Sequence, residues 1–263
     1  MEKVVMISEV NPVVEVDRGH LNTISAQARE WYGITLKNDN FRDAALELDE
    51  LCKASGRILI IRDWSFINFT PFKMWQTPPH DFLILDALHG VPNLKIFGFI
   101  RDAIDVWISR GMPDLDSFAD SYLAYARKLS ELEVPLFKYE DFCKSPDSVL
   151  QKICACSGVD FDSEYITKYA RYYSVKGDIA VISRGQKGRV RTLGRRAIPM
   201  GKVREIYACR EMHEVNMLFD YPPEYFSMGR LNYLFRYFHD LQMSLIKKYG
   251  KKLRYLLNRE SCV

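Results

Sequence analysis

With 263 residues, 48% of them hydrophobic, the chain is long enough for one large domain with a substantial core of its own. Its net charge of +3 is mild and spread along most of the sequence, so bulk charge nominates neither nucleic acid nor a membrane surface as partner. The six cysteines, Cys52, Cys143, Cys154, Cys156, Cys209 and Cys262, form no Cys-x-x-Cys pair and no apolar run reaches bilayer length, which predicts reduced thiols in a cytoplasmic protein.

Val4-Val5-Met6-Ile7 predicts a short buried strand ending at Ser8-Glu9-Val10-Asn11-Pro12, where Pro12 bars continuation and a functional carboxylate has a place. Helical spacing runs from Leu21 to Tyr32 and stops at Gly33; a second helix runs from Asp39/Asn40 to Ala54 and closes at Gly56. Arg57-Ile58-Leu59-Ile60-Ile61-Arg62-Asp63 is an apolar strand with polar residues only at its end, where open α/β sheets place their ligands. Trp64 to Pro79 is aromatic, carries proline and lacks a clean period, so it reads as a loop or lid, either an acceptor pocket or a roof over the domain.

The centre of the sequence is Lys95 to Arg110. Lys95 to Ile100 predicts a strand covered on both faces, running straight into a helix that Asp102 caps, with Asp105 completing an approximate capping box. Arg101 then stands at the carboxyl end of the strand beside a helix amino terminus, where unpaired N–H groups, the helix dipole and a guanidinium favour an anion. Ser109 follows two helical turns later. Leu115 to Leu132 has helix period, Val134 to Tyr139 reads as another strand ending in Glu140-Asp141, and an amphipathic helix closes at Gly158. Alternation at this spacing argues a parallel sheet covered by helices. Residues 184–196 hold six cations, three glycines and no acid, a composition suited to folding over phosphate, although a solvated basic loop is the common meaning of such a run and an RNA contact a weaker second option. Helices are expected over Lys202 to Phe219 and Asn232 to Leu257.

Arg101-Asp-x-x-Asp-x-x-x-Ser109 resembles the 3′-phosphate signature of sulfotransferases that use 3′-phosphoadenosine 5′-phosphosulfate (PAPS), and Tyr139-Glu140-Asp141 with the following Pro146 and helix is similar to a second segment of that family. The resemblance spans Val4 to about Pro199. It implies a three-layer α/β fold of the P-loop NTPase kind over residues 1–200, with C-terminal helices over 201–263 packed on the same domain. It implies Arg101 and Ser109 as ligands of the 3′-phosphate, and Tyr139 near the adenine or else a core aromatic. The family's late Arg-Lys-Gly loop is matched by Gln186-Lys187-Gly188, so that Lys187 and Gly188 carry over while Arg184 and Arg189 are alternatives for the missing Arg.

The family's opening strand, Gly-containing 5′-phosphosulfate loop and first helix have no counterpart here, from which the expectation is a lost amino terminus or, second, a degenerate relative. Trp64 stands where many cytosolic members carry a His base, leaving Glu9 as first and Asp63 as second choice for that role. Arg62 either neutralises the bridging oxygens or pairs with Asp63. The implied activity is transfer of a sulfuryl group from PAPS to a hydroxyl or amine, releasing adenosine 3′,5′-bisphosphate (PAP) without a metal. Its rivals are a catalytically inactive nucleotide-binding relative, a small-molecule kinase and an RNA-binding module acting through residues 184–196. The kinase lacks a visible Gly-Lys-Ser/Thr loop. Acceptor and oligomeric state are left open by the sequence.

Overall fold

In the computed structural model, residues 3–14, 21–71, 77–165, 208–221 and the single positions 190, 202, 205 and 206 are described. They divide between two compact units: one takes its residues from Met1–Arg101 and Ala124–Leu193, the other from Asp102–Leu123 and Gly194–Val263.

The first unit opens with strand β1 (Val4–Val10), three residues longer than the apolar pattern predicts. The extension is a bulge. Pairing with the parallel strand β2 (Ile58–Asp63) runs in step from Val4 opposite Ile58 to Ser8 opposite Arg62, then skips Glu9 and sets Val10 opposite Asp63. Glu9 takes φ 55°, an uncommon conformation for a residue with a Cβ, and that extra residue returns Val10 to the core, fully buried. The chain turns only afterwards, at Asn11-Pro12, with the Val14 N–H on the Asn11 carbonyl at 3.0 Å.

Helices α1 (Ile24–Tyr32) and α2 (Phe41–Ala54) follow the sequence closely because their ends are local chemistry. Thr23 and Asn40 accept the N–H groups of Ala26 and Asp43, and Gly33 closes α1 in the left-handed region. Their apolar stripes meet β1 in a core of Val5, Ile7, Ile24, Ala28, Leu48 and Cys52. Gln27 of α1 reaches into that core and holds Ser8 as a neighbouring strand would. Its Oε1 accepts the Ser8 N–H at 2.8 Å and its Nε2 donates to the Ser8 carbonyl at 2.6 Å.

After β2 the expected loop begins as a 3₁₀ turn over Ser65–Asn68. Phe69 then enters the core instead of roofing it, its ring 5.2 Å from Phe82 and 5.4 Å from Tyr125, while residues 72–76 lie outside the described residues. Beyond α3 (Leu83–Ala87), strand β3 (Gly98–Ile100) pairs in parallel with β4 (Leu136–Lys138). Both are shorter than predicted, since a ladder extends only as far as its partner. Pro135 lies immediately before β4, and at Tyr139 the chain enters helix α6 (Tyr139–Lys144). Gly98 lets Leu136 lie across the strand, where a Cβ would stand 2.7 Å from a Leu136 methyl. The expectation of cover on both faces fails at Phe99, 44% exposed, whereas Ile100 on the opposite face is buried. Helix α7 (Pro146–Ser157) starts on a proline and ends at left-handed Gly158, as its sequence predicts.

In the second unit, α4 (Ala103–Ser109) runs toward the first half of α5 (Leu115–Glu131), whose second half belongs to the first unit. Helix α8 (Arg210–Leu218) supplies Met212, Val215 and, just beyond its end, Phe219 to the core. The fold is therefore mixed α/β, with two two-stranded parallel sheets among the described residues. No helix among them is long and apolar enough to cross a membrane. The long helix expected over Asn232 to Leu257 lies outside the described residues.

Candidate functional site

Two groups of predicted residues stand at carboxyl ends of parallel strands in the first unit. Arg101 follows β3 and Tyr139 follows β4, its immediate neighbour. The Arg101 guanidinium carbon lies 4.8 Å from the centroid of the Tyr139 ring, a cation–π contact. A planar cation stacked on a ring beside two strand ends can grip a phosphate with its edge while the ring borders an aromatic base.

The other group gathers where β1 and β2 end. Glu9, rotated out of the ladder by the bulge, accepts from Arg62 Nη2 at 2.6 Å, with both side chains substantially exposed. Arg62 therefore pairs with Glu9, not with Asp63, the partner that adjacency in sequence suggested. Asp63 instead receives Asn11 Nδ2 on its Oδ1 at 3.0 Å, while its Oδ2 is buried and has no hydrogen-bond partner. Burial pushes the Asp63 carboxyl up to about 7, against the opposing pull of the Asn11 amide and the Trp64 N–H. Tyr125, brought by α5, is pushed up to about 12 by its own burial and then by the Asp63 charge, and it hydrogen-bonds Ser65. Its phenol stays protonated throughout the neutral range. Buried polar atoms without a partner also include Ser8 Oγ on β1 and both amide atoms of Asn68 in the 3₁₀ turn. Native structures leave few such atoms, so their occurrence on residues flanking these strand ends marks a place with hydrogen-bonding capacity to spare.

In the second unit the helix terminus after Arg101 is already occupied. Asp102, wholly buried, accepts the Asp105 N–H at 3.0 Å, and Asn216 of α8 takes a second N–H of that terminus. Its Oδ1 takes the Ala103 N–H at 3.1 Å and its Nδ2 donates to Asp102 Oδ2 at 2.9 Å. Two of the N–H groups expected to face an anion, those of Ala103 and Asp105, are thus taken by side chains. Ser109 is exposed, and its hydroxyl donates to the Val106 carbonyl at 2.8 Å. Arg184, Lys187, Gly188 and Arg189 lie outside the described residues.

Sequence reasoning missed Asn11, Tyr125 and Asn216. Two of them carry a signal. Asn before Pro is a turn signature, and Asn216 sits in the apolar stripe Met212, Val215, Phe219, where a polar residue needs a buried partner. Tyr125 has none, being one more aromatic at helical spacing. A cavity of about 430 Å³ in the second unit contains none of the predicted residues, and its lining of Asp114, Asp116, Glu205 and Glu211 against one cation, Lys202, paired with Glu205, disfavours an anionic donor. No group of three or more His, Cys, Asp or Glu side chains among the described residues is placed to hold a metal ion.

No family model and no curated protein matches this chain. Among solved structures it is similar to a sulfotransferase domain from the olefin synthase of Synechococcus PCC 7002, at 15% identity and a TM-score of 0.46, over 84% of this chain and 97% of that domain.

Proposed function

We propose that this chain binds a 3′-phosphorylated adenosine nucleotide and takes part in transfer of the sulfuryl group of PAPS to a hydroxyl or amine. The observation that carries the reading is Arg101 stacked on Tyr139 at the ends of two adjacent parallel strands. Such a pair offers a nucleotide the two things it needs, a bidentate cation for phosphate and a ring edge for the base.

In the transfer, a lone pair on the acceptor oxygen or nitrogen attacks sulfur. The sulfur–oxygen bond to the 5′-phosphate breaks, and its electrons leave with adenosine 3′,5′-bisphosphate. The acceptor's proton needs a base. Asp63 suits that task better than Glu9, because Glu9 is engaged by Arg62 whereas Asp63 holds no cation and titrates near neutrality. Ser109 and the segment carrying Arg184, Lys187, Gly188 and Arg189 remain part of the proposal on sequence resemblance.

Calorimetric titration of the chain with adenosine 3′,5′-bisphosphate tests the reading. Micromolar binding is expected, weakened at least tenfold in Arg101→Ala, which is about 1.4 kcal/mol. Absence of binding by the folded wild-type chain would overturn it, and binding without transfer would leave a catalytically inactive nucleotide-binding protein.

A further inference from the structure

We propose that Asn11 is a positioning residue for Asp63: its amide fixes one carboxyl oxygen, Oδ1, and with it the orientation of the carboxyl that the proposed function uses as base. The inference rests on the reading of Asp63 as base for its meaning in catalysis, but the geometry is independent of it.

Asn11 is wholly buried, and its amide has no freedom of orientation. Its Oδ1 accepts the Val13 N–H at 3.3 Å while its Nδ2 donates to Asp63 Oδ1 at 3.0 Å. A backbone N–H can only donate and an ionised carboxylate can only accept, so flipping the amide would set donor against donor and acceptor against acceptor. The main chain makes the same clamp stiffer. Pro12 follows immediately, the Val14 N–H bonds the Asn11 carbonyl at 3.0 Å, and the Trp64 N–H bonds the Val10 carbonyl at 2.9 Å. The turn after β1 and the end of β2 are thereby tied on both sides of Asp63.

The consequence is an asymmetric carboxyl. Oδ1 is spoken for, and the partnerless Oδ2 is buried. When ionised it lacks a donor, so the charge is best held at Oδ1, on the Asn11 amide. The groups around Asp63 are consistent with this division. Tyr125 from α5 stays a neutral phenol beside it, and the charged neighbours along the two strands, Glu9 and Arg62, neutralise each other. Aspartate at position 11 would set two carboxylates against one another, which explains why the residue there carries an amide.

The experiment is a carbon-13 NMR titration of the full chain labelled at aspartate carboxyls, with Asp63 assigned through Asp63→Asn. In the wild type Asp63 is expected to titrate near neutrality. Loss of a hydrogen bond to the charged form in Asn11→Leu should raise that midpoint by about one to two pH units. Asn11→Ser keeps a hydroxyl for the turn but is too short to serve Asp63 as well. It should show the same rise with the fold intact, and so covers the case in which Asn11→Leu does not fold. An unchanged midpoint in folded Asn11→Ser overturns the proposal. Where transfer is measurable, the acidic limb of its pH profile moves by the same amount. A shifted midpoint in a chain with no transfer activity supports the positioning role and removes the catalytic reading of Asp63.

Discussion

Asp63 and Arg62 are neighbours in sequence whose environments separate them. The bulge at Glu9 swings a carboxylate out to Arg62 and leaves Asp63 with the Asn11 amide on one oxygen and the other oxygen buried. The stability of the protein should record that difference. The unfolded Asp63 carboxyl ionises near pH 4 and the native one near 7, so between them the native state holds a proton that the unfolded state has released. Stability contributed by Asp63 is therefore complete below about pH 4, falls by about 1.4 kcal/mol per pH unit through that window, and levels off above about pH 7. Asp63→Asn, which keeps an oxygen for Asn11 and cannot ionise, should be more stable than wild type at pH 8 and nearly equal at pH 4. Urea unfolding at both values checks it, and equal differences at the two would contradict a buried native carboxylate.

At the scale of elements, the features legible in the sequence are those whose hydrogen bonds stay within a few residues. Asn40 and Asp102 cap their helices where the pattern places them, Thr23 caps α1 past the expected start at Leu21, and Gly33 and Gly158 close theirs. What the pattern misjudged at α4 was the vacancy of its amino terminus. Asn216 stands 114 residues from Asp102, and only the packing of α8 on α4 brings the amide to the cap. Asn216→Leu keeps the volume and removes both bonds, leaving a buried carboxylate and an N–H short of partners. The loss should be about 3 kcal/mol, read as a lower urea midpoint with an unchanged slope. Truncating an exposed residue of the same helix such as Met217, 68% exposed, should leave the midpoint nearly in place.

For the molecule as a whole, the chain passes from one compact unit to the other between Arg101 and Asp102, and returns within α5. A ligand held by the first unit stabilises the native chain by mass action. Adenosine 3′,5′-bisphosphate at a hundred times its Kd should add about 2.7 kcal/mol and raise the melting temperature by roughly 5 °C or more, and Arg101→Ala at the same concentration should cut the gain to about 1.4 kcal/mol or less. A melting temperature independent of the nucleotide would count against the proposed site.

The amino-acid order alone determined the helix ends at Gly33, Ala54 and Gly158, the polar residues at the strand ends and the candidacy of Arg101, Tyr139, Glu9 and Asp63, because caps, turns and hydrophobic period are properties of short stretches; it placed the start of α1 too early, at Leu21 instead of Ile24, and extended α8, which starts at Arg210, back to Lys202. Tertiary structure decided which of these residues meet. Arg62 took Glu9 instead of its neighbour Asp63, Asn11 took Asp63 from 52 residues away, and Arg101 came to lie over Tyr139. Those pairings follow from which strands run side by side and where one extra residue bulges, and a change of one position in register exchanges the two faces of a strand.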